Sequence, residues 1–174
     1  IYSPFLCYQS AICTCVQDAE VLGQVYEPWF NRTYGRYCSH QFTPYRDEPA
    51  LYPGIARKGN LVYLAHKLCR MYKNDGAQLF RDTLCGALRL IYRPVMEISL
   101  PSAGRARLTR QEGRYVLHLM YGSPIQRGRT SVIEDLPPIQ NVPVTLRLSA
   151  PLSQAILQPQ GRAIPFTQSE GIVT

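Results

Sequence analysis

Residues 55–65 read Ile55-Ala56-Arg57-Lys58-Gly59-Asn60-Leu61-Val62-Tyr63-Leu64-Ala65, and this stretch gives the clearest local signal in the sequence. Two apolar, β-prone runs flank the three residues 58–60. A short connection that contains glycine between two such runs predicts a β-hairpin. The second run, residues 61–65, is short and apolar, so we expect a strand that is buried in the first half of the chain.

Helical and strand patterns surround this hairpin. Residues 67–73 predict a short helix that ends at Asn74-Asp75-Gly76, and residues 77–92 predict a longer helix that ends before Pro94. The longer helix has apolar residues at three-and-four spacing along one stripe: Leu79, Phe80, Thr83, Leu84, Ala87, Leu88 and Ile91. Residues 11–16 and 19–26 read as strands. The first half is therefore predicted to be α/β.

From Val95 onward the hydrophobic period changes to two. Residues 114–121 predict a strand that follows a turn at Gln111-Glu112-Gly113. Further short strands are expected at residues 132–135, 142–148, 155–158 and 163–166. Short strands divided by Pro and Gly are typical of a small antiparallel β-sandwich. The predicted fold class is α/β followed by all-β, with one domain at residues 1–97 and a second at residues 98–174.

Charge and hydropathy restrict the classes of partner. The chain has 174 residues and a net charge of +7, but its halves carry similar mixtures of both signs and no block of like charge. Such a mixture is typical of a solvated surface, so we expect no nucleic-acid partner. No apolar run reaches the ~20 residues that cross a bilayer, so we expect no membrane partner. The start, which has no leader pattern, favours a region cut from a longer polypeptide.

The six cysteines, at positions 7, 13, 15, 38, 69 and 85, lie in the first half and in largely apolar contexts. We expect reduced thiols and a cytoplasmic protein. Cys13, Cys15, Cys38 and His40 are the residues to weigh as zinc ligands, but a one-residue spacing is tighter than most zinc sites use. Packed thiols are the favoured interpretation, and no metal or cofactor is predicted.

Catalytic patterns are weak. A cysteine hydrolase of the elbow type needs its thiol between glycines on a strand-to-helix turn, and Cys85-Gly86 lies within the predicted helix instead. Glycoside hydrolysis needs two carboxylates across a sugar, and no spacing singles out such a pair. We therefore expect no catalytic residue in this chain.

The stretch from Glu27 to His40 combines rings, guanidinium groups and an imidazole within a long predicted loop. Such groups suit either a sugar contact or the centre of a protein interface. A loop packed on its own core is the alternative. The candidate contact residues are Trp29, Phe30, Asn31, Arg32 and His40.

The same stretch resembles a known family. Residues 20–44, with Glu27-Pro28-Trp29-Phe30-Asn31-Arg32-Thr33, are similar to the trimerisation domain of beta-galactosidase-type glycoside hydrolases, and closest to the branch that includes alpha-L-fucosidase-like enzymes. Residues 57–66 match a later hairpin of that domain. Residues 110–121 and 133–138 resemble the β-domain that follows it. The resemblance covers most of the chain.

This resemblance implies a fold and a role. Such a trimerisation domain has an amidotransferase-like, flavodoxin-like α/β fold, of which residues 1–97 would be the later part, and the catalytic carboxylates lie on an upstream TIM barrel. It implies a bacterial glycoside hydrolase in which this non-catalytic region supports the barrel and oligomer assembly. The implied partners are that barrel, identical subunits and, through the parent enzyme, a carbohydrate substrate. A carbohydrate-binding module and a free-standing cysteine hydrolase are the alternatives.

Overall fold

A computed structural model describes residues 4–9, 11–40 and 42–174. The chain divides into two compact units, Ile1–Arg93 and Pro94–Thr174. Within its described residues, the first unit contains three strands and two helices: β1 Glu20–Gln24, β2 Pro53–Lys58, β3 Leu61–Leu64, α1 Leu68–Asp75 and α2 Gln78–Arg89. The second contains ten strands: β4 Met96–Ile98, β5 Arg105–Gln111, β6 Arg114–Met120, β7 Ile125–Arg127, β8 Thr130–Val132, β9 Val144–Arg147, β10 Ile156–Leu157, β11 Arg162–Ala163, β12 Gln168–Ser169 and β13 Ile172–Val173.

The predicted hairpin is confirmed as the pair β2–β3, which forms an antiparallel sheet with β1 in the order β1-β2-β3. Lys58 pairs with Leu61, so the connection is the two residues Gly59-Asn60, one shorter than predicted. Gly59 has a φ of 56°, which glycine adopts without the strain that a Cβ would cause. In β1, a Cβ at Gly23 would lie 3.2 Å from the side chain of Ile55, so glycine allows these strands to approach closely.

Both predicted helices are confirmed, each ending a few residues away from the sequence-based bound. Gly76 ends α1 in the left-handed conformation, and its N–H donates to the carbonyl oxygen of Tyr72. Leu68 and Met71 of α1 and Phe80 of α2 form the buried core of the unit. Their contact is the reason that two helices too short to be stable alone persist side by side.

The second unit is built from antiparallel strands alone, which confirms its predicted β-rich character. A four-stranded sheet has the order β12-β13-β9-β4, and β5–β6, β7–β8 and β10–β11 form separate pairs. Leu146, Leu148 and Val173 form the core of this unit. Leu108 of β5 and Tyr115 of β6 pack against that core, so the hairpin β5–β6 buries one face on it.

Several sequence-based expectations are wrong in detail. Residues 11–16 form no strand; the amide of Ile12 instead donates to the carbonyl oxygen of Ala65, the residue that follows β3. β3 is an edge strand, and its first residue, Leu61, is 66% exposed, so it is less buried than its apolar composition predicts. The three strands of the first unit are antiparallel, so they do not confirm the predicted flavodoxin-like layer, whose strands are parallel, and that layer stays a prediction. Residues 133–135 lie beyond the end of β8.

Within the residues that the structure describes, no helix is both long enough and apolar enough to traverse a bilayer.

Candidate functional site

Residues 25–50, which we call the arm, continue the antiparallel pairing of β1 and β2 beyond the sheet. The amide of Ala50 donates to the carbonyl oxygen of Val25 at 2.8 Å. Farther from the sheet, the amide of Arg46 donates to the carbonyl oxygen of Glu27 at 2.9 Å, and the amide of Trp29 donates to the carbonyl oxygen of Pro44 at 3.0 Å. The stretch predicted as a long loop is therefore a β-ribbon in part, held by backbone hydrogen bonds.

A tight turn lies at the tip of the arm. The amide of Thr33 donates to the carbonyl oxygen of Arg36 at 2.8 Å, and the amide of Arg36 donates to that of Thr33 at 3.1 Å. This reciprocal pair closes a two-residue connection formed by Tyr34 and Gly35. The two hydrogen bonds fix the backbone on both sides of the tip, so the Cα and Cβ atoms of the neighbouring residues have defined positions.

The base of the arm is attached to the sheet through side chains. The hydroxyl of Tyr52 donates to Oε1 of Glu27 at 2.9 Å. Burial, the Glu27 carboxylate and the nearby Cys13 thiol raise the pKa of Tyr52 well above its usual range. The ring of Tyr26 packs edge-on against that of Tyr45, with centroids 6.0 Å apart. These contacts orient the ribbon where it leaves the sheet.

The arm exposes rings that proteins usually bury. Trp29 is 57% exposed, Tyr37 is 74% exposed and Tyr34 is fully exposed. The guanidinium of Arg46 lies 5.6 Å from the centre of the Trp29 ring, a cation–π distance. Exposed rings with guanidinium groups beside them are the residue types that binding surfaces favour.

Two surface concavities lie between these rings. One, of about 510 Å³, is lined by Trp29, Phe30, Gly35, Arg36 and Tyr37. The other, of about 760 Å³, is lined by Arg32, Thr33, Tyr34 and Tyr37. Tyr37 contributes to both, and neither lining contains a carboxylate. The arrangement can stack against a flat group and donate hydrogen bonds to it, but its linings offer no acid–base pair.

The five residues predicted from the sequence are only partly brought together. Trp29 and Phe30 line the first concavity and Arg32 the second, where its guanidinium donates to the carbonyl oxygen of Cys38 at 3.4 Å. Asn31 and His40 are exposed and line neither.

The lining residues that the prediction left out are Thr33, Tyr34, Gly35, Arg36 and Tyr37. The signal for them was the pair Tyr34-Gly35, a turn sequence that folds the stretch back on itself.

The cysteines form no chemical centre with His40. The Cys38 thiol donates to the carbonyl oxygens of His40 and Phe42, each at 3.5 Å, so its partners are backbone atoms. Among the described residues, no group of three His, Cys, Asp or Glu side chains is placed to share a metal ion. All six cysteines are free thiols. Burial raises the pKa of Cys7 to about 11, which keeps that thiol protonated and unreactive.

Comparison with known proteins relates the chain to part of a larger enzyme. No protein-family model matches it, and no curated protein matches it. The solved structure of alpha-L-fucosidase isoenzyme 2 from Paenibacillus thiaminolyticus is similar, with a TM-score of 0.83 and 33% sequence identity. The match covers 91% of this chain and 25% of the fucosidase, so the chain spans about a quarter of that enzyme's length. The predicted relation to fucosidase-like glycoside hydrolases is confirmed: this chain is similar, in sequence and in fold, to a region of one.

Proposed function

We propose that this chain is a non-catalytic region of a glycoside hydrolase of the alpha-L-fucosidase type, serving oligomer assembly and support of the catalytic barrel. The arm is its contact with that barrel or with a neighbouring subunit, and carbohydrate is met through the parent enzyme. The observation that carries the proposal is a ribbon whose backbone is fixed by hydrogen bonds while its rings stay exposed. Residues 1–97 would be the later part of an amidotransferase-like trimerisation domain, and residues 98–174 a β-sandwich.

The chemistry of the arm supports a protein contact. Trp, Tyr and Arg are the residues most enriched at the energetic centres of interfaces. Trp29, Tyr37 and Arg36 supply all three around one concavity. Because backbone pairing already orders the ribbon, binding would lose less conformational entropy than the docking of a flexible loop.

The distribution of carboxylates supports a non-catalytic role. Glycoside hydrolysis uses two carboxyl groups that face each other across the scissile bond. Neither concavity of the arm has one. The ion pairs between described residues join the exposed carboxylates of Asp82, Glu97 and Glu134 to arginines.

The free thiols agree with a cytoplasmic location.

A chimera tests this role. The matched quarter of the P. thiaminolyticus enzyme is replaced by this chain, and particle size and hydrolysis of an aryl alpha-L-fucoside are measured. We expect the chimera to keep the size and activity of the parent, and Trp29→Ala with Tyr37→Ala to reduce assembly. The control is Tyr92→Ala, which removes a ring of similar exposure, 59%, outside the arm. Equal assembly by both variants, or fucoside hydrolysis by the chain alone, would contradict the proposal.

A carbohydrate-binding module is the second candidate, because exposed rings beside a concavity also suit stacking on a sugar face. Calorimetry of the isolated chain with L-fucose and fucosylated oligosaccharides distinguishes the two functions. Saturable heat that disappears in Trp29→Ala supports a binding module. Absence of heat, together with assembly of the chimera, supports the assembly function.

A further inference from the structure

The hairpin β5–β6 has two faces of opposite character. Directly paired residues of an antiparallel hairpin share a face, and successive residues alternate between faces. The pairs Leu108–Leu117 and Arg110–Tyr115 lie on the face that packs against the core of the second unit. The alternate pairs therefore lie on the opposite, outward face.

We call this outward face the basic face; it consists of Arg105, Arg107, Thr109, Gln111, Arg114, Val116, His118 and Met120. Its three arginines and its histidine are exposed, and no carboxylate belongs to it. Among the residues that the structure describes, the ion pairs involve Arg81, Arg127 and Arg147 and none of these three arginines. Arg105 donates to the carbonyl oxygen of Gly104, and Arg114 to Oε1 of Gln111. The nearest acid in sequence, Glu112, lies in the turn.

Positive charge is concentrated along this face. Arg107 is directly opposite His118, so these two basic side chains adjoin on this face. Arg105 and Arg107 lie two residues apart on one strand, which separates them by about 7 Å. Arg114 pairs with Gln111 four residues farther along, about 13 Å from the Arg107 position. An extended anion would contact several of these arginines at once, whereas a single small ion would reach only one of them.

We propose that the basic face binds an anionic polysaccharide through its sulfate or carboxylate groups. The face has no Phe, Tyr or Trp side chain, so it lacks the large stacking rings of a single-stranded nucleic-acid site and the aromatic anchors of a protein interface or membrane surface. Guanidinium forks, a hydroxyl and an amide instead suit anionic groups and sugar hydroxyls. The choice of a polysaccharide over other polyanions rests on the proposed function.

Two double variants of equal net charge test the face. Arg105→Gln with Arg107→Gln removes two of the three arginines of the basic face, and Arg129→Gln with Arg162→Gln removes two exposed arginines elsewhere in the same unit. Affinity for dextran sulfate and for polygalacturonate is measured at low salt, with neutral dextran as the reference. We expect the first variant to bind at least one anionic polymer about tenfold more weakly, the loss expected from two exposed ion pairs, and the control to change less than twofold. Circular dichroism verifies that both variants are folded.

Three results would overturn the proposal: no binding to either anionic polymer, equal losses in the two double variants, or tighter binding to oligo-dT or polyglutamate than to both polysaccharides. Equal losses would mean that net charge alone attracts the polymer. Tyr92→Ala, which removes an exposed ring outside both the arm and the basic face, is expected to bind the polysaccharides like the unchanged chain. The chimera experiment changes the arm and this experiment changes the basic face, so a failure of one proposal is distinguishable from a failure of the other.

Discussion

Two antiparallel ribbons in this chain, the arm and the hairpin β5–β6, use their side chains in different ways. The hairpin places Leu108 and Tyr115 on the core of its unit and leaves the opposite face cationic. The arm is held mainly by backbone hydrogen bonds and by contacts at its base, and its largest rings are exposed. The hairpin contributes to the stability of its unit through burial. The rings of the arm are exposed and contribute little to the stability of theirs.

This difference shows where function should be sought. A strand that buries every second residue is constrained by packing, so its composition reports the core. A ribbon that is ordered without burying its rings keeps those rings for another purpose, because an exposed Trp or Tyr adds little to the stability of its own domain. The comparison predicts that substitutions under the hairpin affect folding, and substitutions on the arm affect association.

The largest effect on stability is expected beneath the hairpin. Leu146→Ala removes a side chain that is 8% exposed, in the cluster against which Leu108 and Tyr115 pack. The free energy of unfolding should fall by about 2–4 kcal/mol, from lost burial and the cavity that remains. Urea denaturation measures it, with Tyr37→Ala on the arm as the comparison, expected within about 0.5 kcal/mol of the unchanged chain. Similar losses in both variants would remove the contrast between the ribbons.

The glycines at the tips of the two ribbons should respond differently to alanine. Gly113 has a φ of 66°, so Gly113→Ala should cost about 1–2 kcal/mol of unfolding free energy. Gly35 is not among the glycines with positive φ, and a Cβ there would meet no atom within 4 Å. Gly35→Ala should therefore be neutral or slightly stabilising. Thermal unfolding of the two variants side by side decides the matter, and a larger loss for Gly35→Ala would be inconsistent with the turn described.

Tyr52→Phe should lower the free energy of unfolding by about 1 kcal/mol, because it removes the hydrogen bond to Glu27 at the base of the arm. The pKa of Tyr52 is raised in the folded chain above its ordinary value of 10.0, so the folded state favours the protonated phenol. The stabilisation is therefore fully present below pH 10 and is lost as the pH rises above it. Chemical denaturation at pH 8 and at pH 10.5 tests this, and an equal difference between the variants at both values would argue against the bond.

Only a small effect on stability is expected for Trp29→Ala. Its ring is more than half exposed and has a single cation–π contact with Arg46, so the loss should be less than about 1 kcal/mol. The same substitution should reduce assembly of the chimera strongly. A stability loss well above that of Tyr92→Ala would instead assign Trp29 to the fold of its own unit.

Elements with strong local signals could be predicted from the sequence. Each of these elements has a local signal in its own residues, and each forms where it is expected. The signals are the apolar runs on both sides of Gly59, the apolar stripe through Phe80 and Leu84, and the turn residue Gly113. The segment 11–16 has an equally β-prone composition but forms no strand. The amide of Ile12 donates to the carbonyl oxygen of Ala65, and the hydroxyl of Tyr63 donates to the carbonyl oxygen of Ile12. Composition does not encode these tertiary contacts.

The candidate site was predictable in place but not in shape. The richness in rings and guanidinium groups singled out Trp29, Phe30 and Arg32, which line the concavities. Thr33 and Arg36 pair across a turn. The residues around that turn do not alternate between apolar and polar, so the sequence does not predict the turn or the position of Tyr37 in both linings. The imidazole of His40 suits a binding site chemically, but the fold leaves it outside both linings.

The most direct test uses the fact that Trp29 is the single tryptophan of the chain. Labelling with 5-fluorotryptophan gives one ¹⁹F resonance, recorded with increasing chain concentration and after addition of unlabelled fucosidase that lacks the matched quarter. Sedimentation measures complex formation in the same samples. We predict that the resonance shifts or broadens in step with complex formation. A complex that leaves the resonance unchanged, or no complex under either condition, would contradict the assignment of the arm as the contact surface.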